Sequence, residues 1–256
     1  MSAHAPHVGP AVIREVSERL SAPLPEKTRF LQELASDLRE LTGRLMADGM
    51  SSEEARARAT EALVPDAETT ARLDHLYAPR YARVTRRWGA QRLRFAERGL
   101  LAVSFLALLL LQSAAILRTD LARYASPFLW PVIAAGSLVV VAVIGKGFEM
   151  WVKRDHAHLR GGLSTILGLA PVPTLIATVG MWADLHALAS ALELHPELAR
   201  HLVIDSIGRD ASLLAIAMLF GLFGAVGWLI ASQWIAVQED AHQRALALDS
   251  TLFQEM

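Results

Sequence analysis

The chain contains no cysteine among its 256 residues. Disulfide scaffolds, thiolate-ligated zinc, iron–sulfur clusters and cysteine nucleophiles are therefore excluded. The common catalytic motifs are missing as well: there is no GxxxxGKS/T phosphate loop, no GxGxxG, no HExxH and no GxSxG. Neither an internal repeat nor a low-complexity segment is present. Residues 1–10 lack a basic start, and no apolar core follows them, so no cleaved signal peptide is expected. Acids are nearly absent from residues 78–98, where Arg80, Arg83, Arg86, Arg87, Arg92, Arg94 and Arg98 meet only Glu97. Over the whole chain, 25 Lys+Arg and 26 Asp+Glu almost cancel, so the net charge conceals a segregated pattern.

Apolar residues, by contrast, are in excess. They make up 53% of the chain, where soluble chains usually hold about 45–50%. The excess lies in four runs, residues 99–117, 127–145, 162–183 and 211–237, none with a charge in its middle. About 20 apolar residues cross the roughly 30 Å of hydrocarbon in a bilayer. Backbone polar groups in lipid must pair internally, so each run is expected to be a helix. The expected fold class is thus all-α: a polytopic membrane protein with four transmembrane helices, preceded by a small cytoplasmic bundle of three or four helices.

Basic residues set the expected orientation. The Arg-rich segment precedes the first span, and Lys146, Lys153, Arg154 and Arg160 lie between spans two and three. The loops after spans one and three hold fewer, Arg118 and Arg123, then Arg200 and Arg209 among several acids. Both termini are therefore placed in the cytoplasm, and the first span acts as an uncleaved anchor in the inner membrane. The arginines mark topology and meet anionic lipid rather than nucleic acid, at about 1 kcal/mol per basic residue. Tyr77, Tyr81 and Trp88 suit that interface. The divisions expected are a helical module at 1–78, an Arg-rich juxtamembrane helix at 79–98, the membrane domain at 99–237, and a short helical tail at 238–256.

Within the module, Val12, Ile13, Val16 and Leu20 share a helical face. Phe30, Leu34, Leu38, Leu41 and Leu45 form an amphipathic stripe that Gly49 stops. Ser51-x-x-Glu54 is a capping box opening a third helix. Leu73 and Leu76 are expected to face inward from a fourth. The core so formed is thin, and a domain of this size is marginal alone. Support is expected from a partner, a twin subunit or the membrane.

The run PEKTRFLQELASDLRELTGRLMADGMSSEEARARATEAL resembles the HAAS module, a helical unit found ahead of membrane spans in bacterial permease-like and regulator-linked proteins. Pro25-Glu26, the Phe30/Leu34/Leu38 stripe and the hinge from Gly49 to Ala55 carry the resemblance. Val64-Pro65-Asp66 stands where that family has a Gly-Asp-Pro-like turn. The resemblance implies cytoplasmic sensing or partner binding without catalysis.

Residues 170–179, APVPTLIATV, are similar to a helix of the MotA/TolQ/ExbB proton-channel family. Ala170, Pro171, Leu175, Thr178 and Val179 match its pattern, while Thr174 and Ala177 replace glycines. Span four has Leu214-Ala215-Ile216 where that family has a threonine, and the loop between spans two and three is short. The resemblance implies a pore-facing hydroxyl at Thr178, with the titrating carboxylate supplied by a partner subunit. Physically, Pro171 and Pro173 would free backbone carbonyls, and Thr174 and Thr178, one turn apart, would add hydroxyls to an ion path. A threonine bonded to its own helix is the alternative.

Ala217, Gly221 and Ala225 recur every fourth residue on span four, a small-residue face for helix packing within the subunit or between copies. Asp155, His156 and His158, and separately Asp184, His186, His195 and His201, have the residue types of metal or pH-sensing sites. Neither group has a recognised ligand spacing, so no metal and no cofactor are expected. The function expected is a non-enzymatic signalling or regulatory scaffold in the inner membrane, whose N-terminal module binds a cytoplasmic partner. The alternative is a proton-channel-type subunit that energises a partner with a periplasmic domain, assembled as a homo-oligomer.

Overall fold

A computed structural model describes residues 12–85, 88, 90–118, 126–154, 160–194 and 199–251, and every regular element among them is a helix. The chain divides into two compact units. One comprises Met1–Val84, Lys153–Ala157 and Trp234–Met256; the other comprises Thr85–Val152 and His158–Gln233.

The first unit contains α1 (Val12–Arg19), α2 (Leu24–Ala47), α3 (Ser52–Leu63), α4 (Ala67–Tyr77), most of α5 (Arg80–Thr85), and the end of α10 (Ala199–Thr251). The apolar face of α1 is buried as its spacing predicts, with Val12, Ile13, Val16 and the following Leu20 all enclosed. Pro25 sits in the first turn of α2, where its missing N–H leaves no bond unmade. Leu31, Leu34, Ala35 and Leu38 form the centre of its inner face, flanked by Phe30, Leu41 and Leu45. Gly49 adopts φ +91°, a left-handed conformation that costs glycine nothing, and its N–H bonds back to Met46 O at 3.0 Å. The next two helices are capped by side chains. Ser51 Oγ accepts the Glu54 N–H at 3.3 Å, and Asp66 Oδ1 accepts the Thr69 N–H at 2.7 Å. Hydrogen bonding from Thr69 holds the Asp66 carboxyl below its ordinary range.

Two alanines close this core, Ala59 of α3 and Ala245 of α10, both fully buried. Leu246 and Leu248 pack beside Ala245, and His242 Nδ1 lies 3.4 Å from Thr28 Oγ1. The tail expected as a separate short helix is thus the end of α10, and it contributes Ala245 to the N-terminal core. α4 is turned differently from its expected face. Thr70 is buried and Asp74 accepts the Ser21 N–H at 2.7 Å. These two residues, four apart, define the inward side, which leaves Leu73 half-buried and Leu76 71% exposed.

The second unit contains α6 (Ala90–Leu117), α7 (Leu129–Phe148) with a π-helical turn (Glu149–Lys153) at its end, α8 (Leu163–Leu169), α9 (Val172–Leu194) and α10 as far as Gln233. Four helical stretches are long and apolar enough to cross a membrane: Gln91–Leu117, Leu129–Lys153, Leu163–Leu194 and Arg200–Leu248. They coincide with the four apolar runs but extend past them. The 79–98 segment is not one helix, since α5 ends at Thr85 and α6 starts at Ala90.

Leu129, Val132 and Ile133 of α7, Ala177 of α9, and Leu213 and Ala217 of α10 make the core. α6 is peripheral. No residue of its apolar stretch is buried, and only Leu109 and Ile116 lean on the core. Leu100, Leu106, Leu110 and Leu111 are exposed on it, as Met218, Leu219, Leu222 and Leu229 are on α10. Apolar surface of that extent is stable against lipid or another apolar face, not against water. At the other end of α7, Lys146 turns inward and donates to Gly161 O at 2.5 Å and to Glu149 Oε2 at 3.3 Å. It closes the α7–α8 crossing instead of standing in solvent as a simple topology charge.

Candidate functional site

The third apolar stretch is two helices. α8 stops at Leu169, Ala170 and Pro171 form a turn, and α9 begins at Val172. Pro171 and Pro173 have no N–H, so Leu167 and Leu169 lose the partners that an unbroken helix would supply. The break sits against α10: a Cβ at Gly221 would lie 3.2 Å from Ala170 O and 3.5 Å from Thr174 Oγ1. Pro171 is exposed, Pro173 buried, Thr174 half-buried and Thr178 exposed. The Thr178 hydroxyl donates to Thr174 O at 2.8 Å, so it satisfies its own helix. The two hydroxyls expected to line one path therefore stand in different surroundings, Thr174 towards α10 and Thr178 on the outer surface of the unit.

α10 packs through a face that repeats every seven residues. Asp210, Ala217, Gly224 and Ala231 are buried, with Ser206 and Leu213 enclosed on a neighbouring row. Phe220 and Gly227 continue the second row. A Cβ at Gly136 would lie 2.3 Å from the Phe220 ring, and one at Gly227 would lie 2.6 Å from Val143. Of the expected stripe, Ala217 is fully buried and Gly221 approaches Ala170, but Ala225 is exposed and Gly224 takes its place. The reason is angular. A four-residue step advances about 400°, so two steps drift some 80° around the helix, whereas a seven-residue step drifts only about 20°.

α9 and α10 run antiparallel in one register. Ala170 lies opposite Gly224, Thr174 opposite Gly221, and at the far end Asp184 opposite Asp210. The carboxyl groups of these two aspartates face each other within hydrogen-bonding reach. Asp184 Oδ2, Asp210 Oδ1 and Ser206 Oγ are buried and have no partner among the described residues. In the sequence Asp184 stands out only beside His186, His195 and His201. Asp210 does not, because nothing in one chain's spacing pairs residues on antiparallel helices.

The remaining expected residues are dispersed. Arg80 is exposed on α5, and Arg92, Arg94 and Arg98 are exposed on the first turns of α6. Arg86 and Arg87 lie outside the described residues, as does the side chain of Arg83. Tyr81 is half-buried beneath Lys153, whose Nζ is 5.9 Å from the ring centroid. Asp155, His156, His158 and His195 are also outside the described residues. His186 stacks on Trp182 with ring centroids 6.0 Å apart, and His201 is exposed. No three His, Asp or Glu among the described residues converge on a possible metal. Beside Asp205 and Arg209, a cleft of about 370 Å³ opens between Ile116, Ser126, Leu129 and Ile216.

No protein-family model matches the chain, and no curated protein or solved structure is significantly similar to it.

Proposed function

We propose that the protein is a multi-pass inner-membrane scaffold without catalytic activity, with both termini in the cytoplasm, whose first unit binds a cytoplasmic regulatory protein. The observation that carries this reading is the uneven finish of that unit. α1, α2, α3 and the end of α10 share a closed core, while α4 and α5 leave Leu76 71% and Val84 75% exposed. Exposed apolar side chains on a charged, helical surface are the ordinary anchors of a protein partner. Arg80, Arg92, Arg94 and Arg98 then lie at the lipid headgroups. Leu76→Glu with Val84→Glu should leave helicity and membrane insertion unchanged and weaken capture of the partner at least tenfold, measured by quantitative co-purification from native membranes in mild detergent. Undiminished capture of every co-purifying protein would sink this reading.

A second reading is favoured by one observation, the position of Thr178 on the outer surface of its unit beside the Ala170–Pro171 break. There it would meet a neighbouring copy in a homo-oligomer and line a proton path between subunits, with Pro171 exposed in the turn before the same helix and Thr174 deeper in the wall. Thr178→Val should then abolish the activity of a partner carrying a periplasmic domain and stop proton flux in reconstituted vesicles, with folding intact. Full activity in that variant rejects the path.

A further inference from the structure

We propose that Asp184 and Asp210 form a proton-binding site, in which one proton shared between the two carboxyl groups clasps α9 to α10. The argument starts from hydrogen-bond chemistry. A carboxylate has only acceptors, so two carboxyl groups within hydrogen-bonding reach can bond only if one of them is protonated. Surroundings make the proton necessary. Asp210 is 6% exposed, and its Oδ1 and the Oδ2 of Asp184 meet no donor among the described residues. Two bare carboxylates enclosed at that distance would repel each other with little water to screen them.

A second buried polar group lies one turn before Asp210 on the same helix. It is Ser206, which is 0% exposed, and its hydroxyl has no partner among the described residues. It has a donor to offer a carboxylate and none of its own needs met. The surrounding charges do not supply a counter-ion of equal quality. Arg209, next in sequence, and Asp205 are exposed, as are Arg118 at the end of α6 and His186 on α9. The only charge on α7 is Lys146, committed to Gly161 at the opposite end of that helix. The site therefore carries two acids, a hydroxyl and a net charge of minus one when it holds its proton. It binds a proton whichever partner the first unit engages, so failure of the scaffold reading leaves it standing.

The sign of the pH dependence follows. The native protein holds the shared proton where an unfolded aspartate, with an ordinary value of about 3.9, has lost it. Folding stability is then lost as pH rises, with the unfolding constant growing about tenfold per pH unit from that ordinary value up to the titration of the pair. The test uses the full chain in lipid nanodiscs, with thermal unfolding followed across pH and the carboxylic-acid carbonyl stretch followed by infrared spectroscopy. Wild type should show a protonated-carboxyl band above the pH at which a free aspartate ionises, and a melting temperature that falls with rising pH. Asp184→Asn should remain folded, because its amide donates to the Asp210 carboxylate, and should lose both the band and this pH dependence. Asp210→Asn should do the same from the other side, and the exposed Asp205→Asn should change neither. An unchanged pH profile and band in both pair variants would overturn the proposal. So would stabilisation of wild type by sodium at fixed pH that disappears in Asp184→Asn, since a metal cation would then be the occupant.

Discussion

Gly224→Leu should cost the membrane-type unit about 3 kcal/mol of stability, with Ala225→Leu, one residue further on, within about 0.5 kcal/mol of wild type. The contrast rests on which way each residue points. A Cβ at Gly224 would stand 2.7 Å from Val139 Cγ1 and 2.9 Å from Ala170 Cβ, closer than packed carbons approach. Neither neighbour is the free end of a flexible chain. Val139 is fully buried and stiff at its branched Cβ, and Ala170 belongs to the turn that breaks the third apolar stretch. Leucine would therefore force α10 away from both α7 and the α8–α9 turn. Ala225 faces outward, where a larger apolar side chain meets only lipid or another apolar surface. Reversible unfolding in mixed micelles measures both variants. Equal losses at the two positions would mean that the packing face follows the four-residue stripe and not the seven-residue one.

Ala245→Asp should destabilise the first unit by about 3–5 kcal/mol, because the new carboxylate would be buried without a partner. Ala245 is fully enclosed among Val12, Ile13, Leu31, Leu34, Leu38 and Ala59. Gln243→Asp places the same charge on the exposed side of the same turn and should be nearly silent. Hydrogen exchange read on α1 and α2 gives the decisive signal. Protection of those amides should fall in Ala245→Asp although the change lies in a different part of the chain. Unaltered protection there, with the end of α10 alone exchanging faster, would show that the C-terminal residues only rest on the bundle.

The two experiments mark where sequence reading succeeded and where it stopped. Local signals were legible because their causes are local. The α1 face, the Gly49 stop, the Ser51 cap and the apolar runs each depend on residues within a few positions of one another. Leu31 escaped the α2 stripe because Leu34 and Leu38 gave a regular series on their own, although Leu31 completes it one turn earlier and is wholly buried. The outward turn of Leu76 was not legible, since α4 is oriented by Asp74 bonding to Ser21, which lies before α2 and α3 in the chain. Ala225 was misplaced for a different reason, the slow drift of a four-residue repeat around the helix. The Asp184 and Asp210 pair depends on antiparallel register, which no spacing within either helix encodes. The Pro171 break was visible, but the opposite surroundings of Thr174 and Thr178 needed the packing against Gly221.

The place of Ala245 in the N-terminal core also has a consequence in time. α1, α2 and α3 leave the ribosome well before the alanine that seals their shared face. At about 5–20 residues per second, the delay between Ala59 and Ala245 is on the order of 10–40 s. Almost all of the four long apolar helices is synthesised in that interval. During it the nascent unit presents an open apolar groove, and the end of α10 is the piece that closes it.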